Sequence, residues 1–448
     1  MKFGGTSVAD ADAIRRVTAL VRRQKETDSK PPIVVVSALS KVTDGLLRVG
    51  RFVESGERAR ALTRLTELAD RHVAIASDVM SGPRLAAVTR DLRAEFTATS
   101  DMVGALSVRH GLSPRLLDAI AATGELASSR LVTAALVEAG VPAAWVDARE
   151  VMLTDAEFTC AVPDMHGTAE RVRQRLQPIS ARGEVAVLGG FVGATADGVT
   201  TTLGRGGSDY SAAIFGASLD VSEIQIWTDV DGMLTADPRV VPRPRLVPRL
   251  TFAEASELAY FGAKVLHPGT ILPAVSKNIP VRILNSRQPE TGGTLITADA
   301  KSEGHLTALA CKRAVTVIDI TSMRMFMVSG FLSRLFSVFE RFKTVVDVVT
   351  TSEVSVSVTV DDTRRLDLIV DALRAFADVS AQPDMAIICA VGEDIHEDPK
   401  AFGRAISALG EIPLRMVSQA ASRRNITFVL NDSDVPEAMT RLHQEFFG

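Results

Sequence analysis

The 448-residue sequence holds only three cysteines, Cys160, Cys311 and Cys389, scattered along its length. That number excludes a disulfide framework, and the spacing excludes a cysteine metal site; small core thiols in a reducing cytoplasm are expected. The seven histidines show no ligand spacing either, so no metal held by protein alone is expected. Long hydrophobic runs are missing too. The longest uncharged apolar run, residues 185–196, contains glycines and is too short to span a bilayer. No signal-peptide pattern is read at the N-terminus. Charge of one sign is also lacking: 50 Lys and Arg stand against 54 Asp and Glu, a net charge of −4. Neither nucleic acid nor an anionic membrane is favoured as a partner. The stretch 238–249 carries four prolines and four arginines but no interleaved aromatics, and reads as a stiff exposed loop.

What is present is an ordinary globular composition, 46% hydrophobic and 23% charged, on a chain too long for one core. Two or three domains are expected. In the first part, strand-like stretches at 33–37, 143–146, 185–191, 223–229 (alternating) and 281–284 are interleaved with helical periodicity, most of it between 45 and 140. This predicts an α/β sandwich around a largely parallel sheet, with polar loops gathered at the carboxyl ends of the strands. After about residue 300 the pattern becomes β-α-β-β-α, repeated twice, with strands expected at 314–320, 345–349, 354–360, 385–391, 414–417 and 427–430. Such small sheets leave an edge or face to pair with a neighbour.

One stretch carries most of the chemistry: Thr200-Thr201-Thr202-Leu203-Gly204-Arg205-Gly206-Gly207-Ser208-Asp209. It reads as a glycine-rich turn feeding a helix capped by Ser208 or Asp209, an anion site with Arg205 as a fork of donors. A tight turn with an ordinary cap is the plainer alternative. Lys2-Phe3-Gly4-Gly5-Thr6-Ser7 sets a cation, two glycines and two hydroxyls together like a phosphate cradle, although the Walker pattern needs the lysine after the glycines. Thr228-Asp229-Val230-Asp231-Gly232 follows a strand, with Asp237 and Arg239 just beyond; hydroxyls and acids there suit a ribose or a nucleotide-borne cation, or simply make a turn. Lys264 sits between apolar neighbours and either snorkels or meets a phosphate. Thr123-Gly124-Glu125 reads as a helix start. An acid such as Glu125 and a cation such as Arg205 are what an α-amino acid's ammonium and carboxylate require.

Taken in order, residues 2–8, Gly124-Glu125, residues 201–209, residues 227–230 and Phe261-Gly262-Ala263-Lys264-Val265-Leu266-His267-Pro268 resemble the motifs of aspartate kinases across essentially the whole chain. The resemblance implies an amino-acid-kinase, carbamate-kinase-like αβα sandwich over residues 1–298. It implies two ferredoxin-like ACT modules after it, the first at 313–383 inserted in the second at 299–312 plus 384–448. It also implies transfer of the ATP γ-phosphoryl group to the β-carboxylate of L-aspartate, with Mg²⁺ riding on the nucleotide. Lys2 and Asp209 are then the catalytic pair, and Ser37, Thr43, Glu125, Phe191, Arg205 and Ser208 the aspartate positions. Gly4, Gly5, Thr6, Thr228, Asp229, Asp237, Arg239 and Lys264 are the nucleotide positions.

Ser329-Gly330-Phe331-Leu332 and residues 346–354 resemble the effector site of the lysine-sensitive class. This implies an L-lysine site at Met325, Phe331, Leu332, Val346, Asp347, Ser352 and Glu353, and a homodimer or dimer of dimers through the ACT modules. Two departures stand out. Lys2 follows Met1 directly, where relatives carry several apolar strand residues before it. Residues 325–328 are more apolar than the corresponding stretch in many relatives. A kinase of the same fold for glutamate or a nucleotide, and a non-catalytic amino-acid sensor, are the competing readings.

Overall fold

A computed structural model describes residues 1–105, 112–262, 268–299, 306–323, 325, 329–419 and 423–448. In chain order it runs β1 (Lys2–Phe3), α1 (Ala11–Thr27), β2 (Val34–Val36), α2 (Val42–Glu54), α3 (Arg58–Val79), α4 (Gly82–Ala105), α5 (Pro114–Glu138) and β3 (Ala143–Trp145). Next come α6 (Met165–Ala181), β4 (Val185–Gly189), β5 (Val192–Ala194), β6 (Thr200–Thr202), α7 (Gly207–Ser218), β7 (Ile224–Thr228), β8 (Arg249–Thr251) and α8 (Phe252–Tyr260). Then follow α9 (Leu272–Ser276), β9 (Val281–Asn285), β10 (Thr294–Thr297), β11 (Ala308–Thr321), α10 (Phe331–Arg341), β12 (Val349–Thr351) and β13 (Ser355–Val360). The chain closes with α11 (Leu366–Arg374), β14 (Asp378–Val391), α12 (Ala401–Leu409), β15 (Met416–Ser418), β16 (Asn425–Asn431) and α13 (Val435–Phe447).

The chain divides into two compact units, Met1–Gly232 with Leu266–Ala298, and Met233–Val265 with Asp299–Gly448. In the first, the sheet order is β3-β4-β2-β1-β7-β9-β10, parallel except for the β9–β10 pair. Strand alternation turns Phe3, Val34, Val36, Val185 and Val187 toward one face, where they share a core with Ile14, Leu46, Leu65, Leu92, Ile120 and Leu131 of α1 to α5. α6 and α7 lie against the sheet as well, on β4 and on β1, β2 and β7. Parallel strands covered in this way lose all contact with water, which explains the unbroken Val34-Val35-Val36 run. By length and composition α5 would suffice to cross a bilayer, but 83% of that window is buried inside the protein, so it is a core helix.

The second unit carries one antiparallel six-stranded sheet, β12-β13-β11-β14-β16-β15. The strands expected at 314–320 and 385–391 are halves of longer ones. β11 and β14, of 14 residues each, run through both repeats and pair along their lengths, with a register shift between Lys312 and Val315. Ala314 takes φ +57 at that shift, which re-aims the strand between the two repeats. The strand expected at 345–349 begins only at Val349.

The segment Met233–Val265 packs in this second unit. Its Ala236 and Val241 share a core with Leu309, Ile388 and Phe428. Thr235 Oγ1 meets His443 Nε2 at 2.9 Å, and Thr307 Oγ1 donates to Glu254 at 2.5 Å. Cys389 is buried as expected, whereas Cys160 is exposed on a loop of the first unit.

Candidate active site

The carboxyl ends of β1, β2, β4 and β7 in the first unit gather the site. Lys2 is 8% exposed, locked between Val35 and Ile226 by the β1 register. Its Nζ lies 2.6 Å from Asp209 Oδ1, an oxygen that takes no aligned hydrogen bond. The contact is an ion pair held by charge. Gly4 and Gly5 follow as the chain turns; a Cβ on Gly5 would lie 2.9 Å from the Ala38 carbonyl, so only glycine brings the two loops this close. Gly4 N–H donates to Trp227 O at 3.0 Å, and Ser7 Oγ meets Ser286 Oγ at 2.8 Å, tying the turn to β7 and β9. Thr6 is half-buried beside them.

α7 starts one residue before Ser208. Its N-cap is Gly206 at φ +74, with no side-chain cap, so neither Ser208 nor Asp209 caps the helix as expected. Both lie in the first turn instead, which leaves their side chains free for the cleft. A Cβ on Gly190 would meet Ser208 Cα at 2.7 Å, and one on Gly189 would meet the Glu125 carbonyl at 3.0 Å. The Gly189-Gly190 step therefore lets β4 pass between α5 and α7 and brings Glu125 and Ser208 to its two sides. Phe191 follows at φ +65, its ring 2.7 Å from a Cβ placed on Gly207.

Glu125 does not open a helix. Ser113 caps α5 by accepting from Leu116 N–H, Pro114 follows at the first helical position, and Glu125 sits mid-helix. Gly124 is retained there because a Cβ would come 2.8 Å from Ala38 Cβ. Glu125 is 3% exposed, and its Oε2 has no hydrogen-bond partner. Burial pushes its pKa up to about 8, against the opposing pull of the Ala38 N–H and the Lys2 charge. A buried acid with a free oxygen is a receptor for a cation.

Thr43 is half-buried in the first turn of α2, which begins after Lys41 at φ +65. Ser37 is half-buried at the end of β2. Arg205 is exposed at the glycine turn and makes no ion pair among the described residues. Thr228 Oγ1 donates to Asp229 Oδ1 at 3.3 Å at the end of β7, and Asn285 Nδ2 donates to Asp231 at 2.7 Å. Asp237 and Arg239 belong to the second unit, where the guanidinium makes a two-point contact to its neighbour's carboxylate with a shortest distance of 2.6 Å. Lys264 lies outside the described residues. No group of three or more His, Cys, Asp or Glu converges as a metal site among the described residues. The Gly189-Gly190 crossing and the Ala38 N–H were missed from sequence; the glycine pair just before Phe191 was the available signal.

The effector candidates lie in the second unit. Phe331 is buried against Phe376, ring centroids 5.7 Å apart, and Met325 and Val346 pack on the same core. Leu332, Ser352 and Glu353 are exposed. Asp347 Oδ1 takes Lys312 Nζ at 2.7 Å and the Tyr260 hydroxyl at 2.9 Å, while its Oδ2 is buried without a partner.

Residues 1–285 match the amino acid kinase family, and residues 388–446 match an ACT domain. The chain belongs to the amino acid kinase family, as a crevice with a lysine on β1 and a glycine turn into α7 led one to expect. Over 454 residues it is 36% identical to lysine-sensitive aspartokinase 3 of Escherichia coli, covering 100% of this chain and 98% of that protein. It is 37% identical to chloroplastic aspartokinase 3 of Arabidopsis thaliana, covering 100% of this chain and 81% of that one. A crystal structure of E. coli aspartokinase III in complex with aspartate and ADP (R-state) superposes with a TM-score of 0.83 at 34% identity, covering 100% and 99% of the two chains. The same enzyme in complex with lysine and aspartate (T-state) gives 0.82 at 35% identity, with coverage of 100% and 99%. Within the family, the chain falls among the aspartokinases, phosphotransferases with an amino-acid-kinase domain and C-terminal ACT modules.

Proposed function

We propose that the crevice holds L-aspartate by its ammonium on Glu125 and its α-carboxylate on Arg205, and passes the ATP γ-phosphoryl group to its β-carboxylate. The observation that carries this reading is Glu125 itself: a buried acid with an unpartnered oxygen, close enough to Lys2 to feel its charge. The acceptor carboxylate, with an ordinary pKa of about 4, is ionised at neutral pH and needs no general base. What the reaction needs is positioning and neutralisation of phosphoryl charge. Lys2, oriented by Asp209, meets the transferring phosphoryl group; Gly4, Gly5 and Thr6 let backbone donors approach the phosphates. Ser208, Thr43, Ser37 and Phe191 enclose the amino acid. Thr228 and Asp229 face the nucleotide. Mg²⁺ fits the Thr228 hydroxyl and the exposed Asp229 carboxylate as hard oxygen donors, and bound with ATP it would spread the phosphate charge. The deciding experiment couples ADP release to L-aspartate and Mg-ATP. Aspartate-dependent turnover is expected; turnover that prefers glutamate or a nucleotide would replace the acceptor.

L-Lysine is the proposed inhibitor. Its ammonium groups suit the free Oδ2 of Asp347 and the exposed Glu353, its carboxylate suits the N–H groups that open α10, and Met325, Phe331, Leu332, Val346 and Ser352 surround its stem. A homodimer through the ACT modules is supported by exposed Met323, Val345, Leu332 and Val349 on the second unit. The enzyme works in the cytoplasm on this reading, with the first ACT module at 313–383 and the second at 299–312 plus 384–448.

A further inference from the structure

Asp118 lies on α5, seven residues before Glu125 and therefore on nearly the same face of that helix. It is 1% exposed, and among the described residues it has no ion-pair partner. It accepts instead from two separate segments. Thr202 at the end of β6 donates its N–H at 3.0 Å and its hydroxyl at 2.6 Å. The Thr159 N–H reaches both carboxylate oxygens, at 2.9 and 3.1 Å. Burial raises the Asp118 pKa, and these donors oppose the shift.

Both segments lead to the glycine turn. Leu203 N–H, the residue after Thr202, donates to Phe191 O at 2.9 Å, and Gly204 and Arg205 come next. Thr159 takes φ +72, unusual for a β-branched residue, and a Cβ placed on Gly204 would lie 3.3 Å from its carbonyl and 3.4 Å from Cys160 Sγ. Ala161 N–H closes the arrangement by donating to Thr202 O at 2.9 Å. One carboxylate thus ties the helix of Glu125 to the strand and the loop that bracket Arg205. A buried acid without a cation is a costly way to secure packing alone. It suits a site where the placement of two other groups must be held.

We propose that Asp118 is a positioning residue for the amino-acid substrate: it sets the placement of Arg205 relative to Glu125, so that the substrate's carboxylate and ammonium are gripped together. The inference rests on the roles given above to Glu125 and Arg205. Asp118→Asn keeps the shape but turns an N–H₂ toward N–H donors; Thr202→Val removes the hydroxyl and leaves the backbone bond. Each should raise the KM for aspartate by about tenfold to a hundredfold, leave the KM for ATP within about twofold, and keep a cooperative melt, while Thr202→Ser restores the wild-type value. Equal changes in both KM values, or an unchanged KM for aspartate in a folded Thr202→Val protein, would overturn the proposal. Glu125→Gln and Arg205→Ala are run alongside. If these two raise the aspartate KM and the Asp118 and Thr202 variants do not, the positioning role alone fails. If the first two have no effect, the substrate assignment itself fails.

Discussion

The hydroxyl of Tyr260, at the end of α8, donates to Oδ1 of Asp347 at 2.9 Å. With Lys312 Nζ on the same oxygen, the bond fixes which edge of the carboxylate stays open, and that edge is the buried, unpartnered Oδ2. Tyr260→Phe keeps the ring, over which Lys312 Nζ sits 4.8 Å from the centroid, and loses only the donor. Turnover without effector should be retained and the lysine concentration for half-inhibition should rise about tenfold to a hundredfold, about 1.5–3 kcal/mol for one hydrogen bond to a charged group. Asp347→Ala should abolish the inhibition. Undiminished inhibition in Asp347→Ala would move the effector to another site.

Lys2 and Asp209 make the second prediction. Asp209→Asn removes the charge that aims the ammonium across the cleft. The expected result is a fall in kcat of about a hundredfold with a small change in either KM, because the phosphoryl charge develops only during transfer. Lys2→Met should cost more. Equal kcat in wild type and Asp209→Asn would remove the pair from the chemistry.

How far the sequence disclosed this arrangement depends on where each residue's partners lie. The strand Val34–Val36 was legible because burial on both faces leaves an unbroken apolar run. The glycine turn at 204–207 was legible because positive φ at Gly204 and Gly206 demands that residue type. Gly124 misled, since a glycine ahead of an acid resembles a helix start; the true signal was Ser113-Pro114, and the glycine answers to Ala38, far away in the chain. The hydrogen bonds of Glu254 and Thr235 could not be read locally, because their partners Thr307 and His443 come much later in the chain. Asp118 could not be singled out from sequence, because Thr159 and Thr202 reach it only in the fold.

His72 predicts how stability follows pH. It is fully buried between α3 and α4, with Nδ1 2.7 Å from Leu68 O, Nε2 unpartnered and its ring 5.1 Å from that of Phe96. Burial lowers its pKa to about 4 from the ordinary 6.5. Between those values the unfolded chain binds the extra proton and the folded chain does not, so stability falls as pH drops through this window and is complete above it. The loss should approach about 3 kcal/mol near pH 4. His72→Phe should flatten this part of the profile, measured as the urea midpoint from pH 7.5 to 4.5. An identical slope in the variant would assign the acid sensitivity to other groups.

Glu125 gives the last prediction, and it concerns binding. Burial holds this carboxyl at a pKa of about 8, so at pH 7 only about one molecule in ten has it ionised. An ammonium placed against Oε2 favours the ionised form, so aspartate binding must expel the proton. Below pH 8 the affinity for aspartate should therefore fall about tenfold per pH unit, while the substrate's own ammonium stays charged throughout. Calorimetry at pH 7 in buffers of different ionisation enthalpy should show close to one proton released per aspartate bound. In Glu125→Gln the release should vanish along with most of the affinity. Binding of aspartate to wild type with no proton release would mean that the ammonium is held by another group, and that Glu125 stays protonated inside the helix packing.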